Sequence, residues 1–196
     1  MARKKKPKKI THYTMPNLVI KADKLVLSAD PGSRNFGIAL VGLENNQVKV
    51  YANSVMMQPV DDLVAFTDTS TTFLREFQQW MAFSPDGVVA ERFQTRGGAS
   101  MGPLIEMVSA MLGLIRGRYP KIPIKLTIAS AWKNRVQRRF GVDLREVYTE
   151  IAVQPHQLDA ALIGVFGLEE GLGVTLDYDL ADFIEQVEAT SLIGTK

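Results

Sequence analysis

The run Leu25-Val26-Leu27-Ser28-Ala29-Asp30-Pro31-Gly32 decides how the rest of the chain is read. It is short and almost wholly apolar, and it stops at a Pro-Gly pair, the pattern of a buried strand closed by a turn. The carboxylate at its end has two readings. Asp favours turns of this kind. A buried carboxylate also costs several kcal/mol unless it is paired or bound to metal, which marks Asp30 as a candidate functional residue.

Working outward, Phe36 to Gly42 and Gln47 to Val55 read as two further strands, with Glu44-Asn45-Asn46 as a hairpin turn between them. Before the first strand, residues 1–22 read as a basic, mobile arm with Pro7 and Pro16 as breakers. From Val60 to Met81 the period changes to helical, with Phe66, Phe73, Phe77 and Trp80 on one stripe. Val88-Val89-Ala90 is a short strand with Glu91 at its end. Gly97, Gly98 and Gly102 mark a loop, and Pro103 opens a helix carrying Ile105, Val108, Met111, Leu112 and Ile115. Ile122 to Ile128 is a fifth strand, Ser130 caps a helix to about Phe140, and Pro155 opens a last core helix to about Leu168. A three-stranded meander followed by alternating helix and strand implies an α/β fold, a five-stranded mixed sheet flanked by helices on both faces.

The chain has 196 residues, 46% of them hydrophobic, enough for one substantial core. Its net charge of +2 conceals an asymmetry. Arg3, Lys4, Lys5, Lys6, Lys8 and Lys9 lie in the first nine residues; without these six of the 23 Lys and Arg, 17 remain against 21 Asp and Glu. A basic tail on a mildly acidic body points to a polyanionic partner. The organisation expected is a basic arm over 1–22, a globular domain over 23–170 and an acidic extension over 171–196. With no cysteine, disulfides and thiolate metal sites are excluded. No run of about 18 apolar residues reads as a membrane span, and no secretory signal is evident.

Glu91 closes an apolar strand as Asp30 does, with a surface ion pair as its plainer reading. His156 and Asp159 stand three apart in the first turn of the last helix, so both side chains share one face. Their plainer reading is charge complementarity to the helix N-terminus. Together the four can converge above one edge of the sheet. Carboxylate oxygens suit Mg²⁺ or Mn²⁺, and the histidine adds preference for Mn²⁺. Two such ions activate water and stabilise the leaving oxygen of a phosphodiester, with no need of a serine or cysteine nucleophile.

Four blocks in order resemble the RuvC-family Holliday-junction resolvases, of phage type, within the ribonuclease H-like superfamily. They are Leu27 through Gly37 with its Asp-x-Gly, Val89-Ala90-Glu91-Arg92-Phe93, the stretch Gly102 through Gly117, and Pro155-His156-Gln157-Leu158-Asp159-Ala160-Ala161-Leu162. The resemblance covers about residues 25–168. It implies a ribonuclease H-like fold and Asp30, Glu91, His156 and Asp159 as catalytic metal ligands for two Mg²⁺ (or Mn²⁺) ions. It also implies a homodimer, with the 102–117 helix contributing to its interface, acting on four-way or branched DNA. Paired nicks leaving 5′-phosphates follow, in the cytoplasm of a bacterial or phage-infected cell. Some members carry Asp where this chain has His156. The basic arm and acidic extension lack counterparts in the common bacterial enzyme.

Such a substrate is held chiefly by Lys and Arg on phosphates. The candidates are Arg92 and Arg96 beside the site, and Lys133, Arg135, Arg138 and Arg139 on one helix, each of which also reads as a solvated surface charge. Phe93 is placed to act as a wedge at the branch point or to pack in the core. Trp132 reads as a core residue. The alternatives are a ribonuclease H-type enzyme and a non-catalytic nucleic-acid-binding protein on the same fold. An actin-like or sugar-kinase ATPase needs a second Asp-x-Gly hairpin, which the chain lacks.

Overall fold

The structure, a computed structural model, describes residues 18–31, 35–57, 79–80, 82–92, 112–113, 116–117 and 119–192. The strands are β1 (Lys24–Pro31), β2 (Asn35–Glu44), β3 (Gln47–Met57), β4 (Gly87–Glu91) and β5 (Ile124–Thr127). They form one mixed sheet in the order β3-β2-β1-β4-β5. The first three strands make the expected antiparallel meander, and β4 and β5 join it in parallel. Asn45 and Asn46 both have positive φ, 52° and 64°, as a two-residue hairpin turn with right-handed strand twist requires.

Alternation along β1 sends Leu25, Leu27 and Ala29 to one face, and Val26, Ser28 and Asp30 to the other. The first face packs with Ile38, Leu40, Trp80, Val88 and Ala90 under Leu18, Ile20, Leu112 and Tyr119. Trp80 and Leu112 come from positions that are helical where described. The second face is covered by four helices, α1 (Ala129–Phe140), α2 (Leu144–Glu150), α3 (Pro155–Leu172) and α4 (Leu180–Ala189). The α/β architecture with helices on both faces is therefore the one expected.

Helix α3 is apolar all round because it lies across β1, β2 and β4, with Leu158, Leu162, Ile163 and Leu168 fully buried. Gly164 and Gly167 let it settle on Val41, Ser28, Val26 and Val89, where a methyl group would collide. The Ser28 hydroxyl donates to the carbonyl of Ala160 at 2.6 Å. Pro155 starts α3 as expected, but the helix runs four residues beyond Leu168, to Leu172, and ends on Gly173 with φ 69°. Helix α1 starts one residue before Ser130, with Ile128 at its N-cap and no side-chain cap.

Residues 171–196, set apart in the sequence as an acidic extension, carry α4, whose Leu180, Phe183 and Val187 are buried in the same core as α3. Asp179 caps α4 by accepting from the N–H groups of Ala181 and Asp182. After α4 the chain returns to the outer strand of the meander. Ser191 bridges Asn53, and Leu192 N donates to Asn53 O at 2.9 Å. The Asn53 amide donates to Val187 O and Thr190 Oγ1, while its oxygen accepts from Gln157 Nε2 at 2.7 Å. Among the described residues no helix is long and apolar enough to cross a membrane.

Candidate active site

Parallel pairing of β1 with β4 matches Ala29 with Ala90, so Asp30 and Glu91, one step further, stand at neighbouring carboxyl ends. Both are in phase with the α3 side of the sheet, Asp30 with Val26 and Ser28, Glu91 with Val89. The N-terminus of α3 arrives above them, and Gly37 decides how closely. Gly37 pairs with Asp30 across the β1–β2 ladder, and a Cβ on it would overlap the backbone carbonyl of His156. The glycine thus lets the helix start rest on the sheet beside Asp30.

Two of the four predicted residues then touch. Nδ1 of His156 lies 2.5 Å from Oδ2 of Asp30, so Nδ1 carries a proton and Nε2 is the nitrogen with the lone pair in the neutral ring. The Asp30 contact raises the histidine pKa above its ordinary value against the lowering effect of burial. Asp159, 6% exposed, is taken at both oxygens by the chain itself. Lys133 Nζ donates to Oδ2 at 3.0 Å, and the Tyr148 hydroxyl donates to Oδ1 in a short contact. Glu91 accepts from the indole N–H of Trp132 at 2.8 Å. Burial raises the pKa of both Glu91 and Asp159, and the Asp30 charge adds to it in each case. Burial and the Asp159 charge likewise push the Tyr148 hydroxyl well up.

The site is thus a crowd of carboxylates faced by one lysine, whose ammonium also sits 4.8 Å from the Trp132 ring and 5.7 Å from that of Tyr148. Such a crowd attracts cations, and its donors, three carboxylates and one imidazole, have the chemistry of a Mg²⁺ or Mn²⁺ site. As the side chains stand, no group of three or more such residues among those described is gathered to hold an ion. The donor set fits a metal, and Lys133 and Tyr148 are the groups that share the oxygens of Asp159.

Trp132 is buried as expected, but with its N–H committed to Glu91. Tyr148 was not singled out in the sequence, although Asp143 followed by Leu144, Val147, Tyr148 and Ile151 carries a capped helical pattern. Asp143 does cap α2, accepting from Arg145 N at 2.9 Å.

The predicted DNA-binding row on α1 divides by what each side chain touches. Lys133 faces the acidic site. Arg135 and Arg139 both grip Glu169, at 3.0 and 2.9 Å, and bolt α1 to the far end of α3. Arg135 also pairs with Glu170, and Arg139 donates to Leu176 O at 2.6 Å while lying over the Tyr178 ring. Arg138 is exposed. Arg92 is exposed with its N–H on Thr127 O at 2.5 Å. Phe93, Arg96, most of the stretches 102–117 and 60–81 expected to be helical, and the first 17 residues lie outside the described residues.

This sheet order, with a helix laid across it, is that of the ribonuclease H-like fold. No protein-family model and no curated protein matches the chain. Solved structures do. RuvC of Thermus thermophilus aligns with a TM-score of 0.58 at 15% identity, over 76% of this chain and 97% of that one. The same protein in complex with a Holliday-junction substrate aligns at 0.59 and 14%, over 77% and 97%. The yeast mitochondrial Holliday-junction resolvase Ydc2 aligns at 0.50 and 14%, over 86% and 83%. At these identities the likeness is one of fold.

Proposed function

We propose that the protein is a metal-dependent endodeoxyribonuclease that cuts four-way and other branched DNA with paired nicks leaving 5′-phosphates. The observation that carries this reading is the placement of Asp30 and Glu91 at adjacent strand ends, with His156 and Asp159 of α3 on the same side. These four would hold the ions. Bound Mg²⁺ or Mn²⁺ would supply a water of lowered pKa and charge stabilisation at the leaving oxygen. The chain's own part is to orient and balance. Asp30 fixes the tautomer of His156, Trp132 holds Glu91, and Lys133 neutralises Asp159. Lys133, Arg92 and Arg138 then offer cations to DNA phosphates. Two nicks in strands of like polarity call for two sites related by a two-fold axis, hence a homodimer. The RuvC and Ydc2 folds support this reading.

One observation favours a second reading. Both oxygens of Asp159 are occupied by Lys133 and Tyr148, as suits a non-catalytic branched-DNA-binding protein. Incubating the protein with labelled four-way junction, linear duplex and RNA–DNA hybrid, with and without Mg²⁺ or Mn²⁺, separates the readings. Metal-dependent cutting of the junction is expected. Cutting of the hybrid alone would make it a ribonuclease H-type enzyme. Junction binding without any cutting would establish the second reading.

A further inference from the structure

Trp132 is fully buried in α1, and its single polar atom, the indole Nε1–H, can only donate. A buried donor left without a partner costs about 1–3 kcal/mol, so this ring needs an acceptor. It has one in Oε2 of Glu91, 41 positions back in the chain. The backbone of Glu91 is pinned separately, paired with Thr127 in β5, and the next N–H, that of Arg92, also donates to Thr127. Among the described residues, Oε1 of Glu91 has no such donor.

We infer that Trp132 is a positioning residue for the site: its indole holds Oε2 of Glu91 and thereby directs Oε1 toward a bound metal. The inference rests on the reading of Glu91 as a metal ligand. Because the hydrogen bond spans from core helix to sheet end, it sets the carboxylate rotamer before any ion arrives, which is how partners of metal ligands act. The bond is charge-assisted, so it is stronger than a bond between neutral groups.

Calorimetric titration with Mn²⁺ tests this on the full chain, comparing wild type, Glu91→Gln, Trp132→Phe and the double variant. Trp132→Phe should weaken Mn²⁺ binding about tenfold, the low end of what loss of such a partner costs. It should add nothing in the Glu91→Gln background. Equal losses in both backgrounds, or no loss in either, would overturn the positioning role. Mn²⁺ binding by Glu91→Gln at wild-type strength would instead overturn the metal role of Glu91, visible without any tryptophan variant. A second measurement does not depend on Trp132→Phe folding. The chain has two tryptophans, hence two indole N–H resonances in ¹⁵N-labelled protein. Mg²⁺ should move one of them in wild type and neither in Glu91→Gln. Two stationary resonances at a Mg²⁺ concentration shown by calorimetry to saturate the site would overturn the inference.

Discussion

His156 and Asp30, 126 positions apart in sequence, meet through Nδ1 and Oδ2 at 2.5 Å. The contact raises the histidine pKa, with consequences that depend on pH. A histidine raised on folding stabilises fully below its unfolded pKa of about 6.5, and that contribution is lost as pH rises through the folded value. Glu91 and Asp159, also raised, act in the same direction at lower pH. Metal-free protein should therefore lose stability as pH climbs above about 6.5, and His156→Ala should lack that part of the slope. The same proton competes with metal. Cleavage should fall on acidification from a pH higher than a free histidine would set, excess metal should partly restore it, and His156→Asp should flatten the limb. Thermal melts in chelator across pH check the first part; superimposable pH slopes for wild type and His156→Ala would count against it.

Asp30→Asn should abolish cleavage while leaving junction binding intact. The amide oxygen still accepts from His156, and one charge leaves a crowded acidic site, so metal-free stability should hold or rise at alkaline pH, where the protonated histidine no longer contributes. Gel shifts and single-turnover cleavage on the same junction check this. Wild-type turnover in the variant would remove Asp30 from the chemistry.

Lys133→Met should bind Mn²⁺ several-fold more tightly than wild type, because the resident cation on Asp159 is gone. Metal-free stability should drop by about 1 kcal/mol, a modest figure because the lysine is a third exposed. Calorimetry and chemical denaturation in chelator measure the two effects. Weaker Mn²⁺ binding in the variant would mean that Lys133 assists loading rather than opposing it.

Arg138 and Arg139 should behave differently despite adjacency. Arg138→Ala should lower junction affinity and reduce the salt slope, log K against log salt, by about 0.9 with no change in stability. Arg139→Ala breaks the grip on Glu169, Leu176 and the Tyr178 ring, so it should lower the melting temperature. A salt slope unchanged in Arg138→Ala would place that residue off the DNA.

Gly37→Ala should be among the most damaging small substitutions in the protein. Its methyl group meets backbone, the His156 carbonyl, which cannot rotate aside. A loss near the upper end of the ~1–3 kcal/mol typical of overpacking is expected, with cleavage lost more completely than fold. Denaturation curves beside cleavage rates test the pairing; a variant with normal activity would mean that α3 shifts without disturbing the site.

The sheet was legible, and with it the position of Asp30 and Glu91 at strand ends, because the apolar runs that stop at them read as buried strands. The i, i+3 spacing placed His156 and Asp159 together in the first turn of the last core helix, where the structure has them. Helix α2 was not, because it is seven residues long and mostly polar, and Tyr148 was missed with it. Helix α4 was hidden by acidic composition, although Leu180, Phe183 and Val187 fall at helical spacing behind the Asp179 cap. The roles of Arg135 and Arg139 were out of reach for a different reason. They depend on Glu169, 34 and 30 positions away, and no local pattern shows whether an arginine turns to solvent or to a distant carboxylate.

The return of residues 190–192 to Asn53 gives this segment a protective duty. β3 is the outermost strand of the meander, and an uncovered strand of that kind is a template for pairing with another molecule. Ser191 and Leu192 shield its middle, and the buried amides of Asn53 and Gln157 are satisfied through the same segment. A chain cut short before α4 would lose that shield from β3, so its expected fate is self-association rather than a smaller working protein.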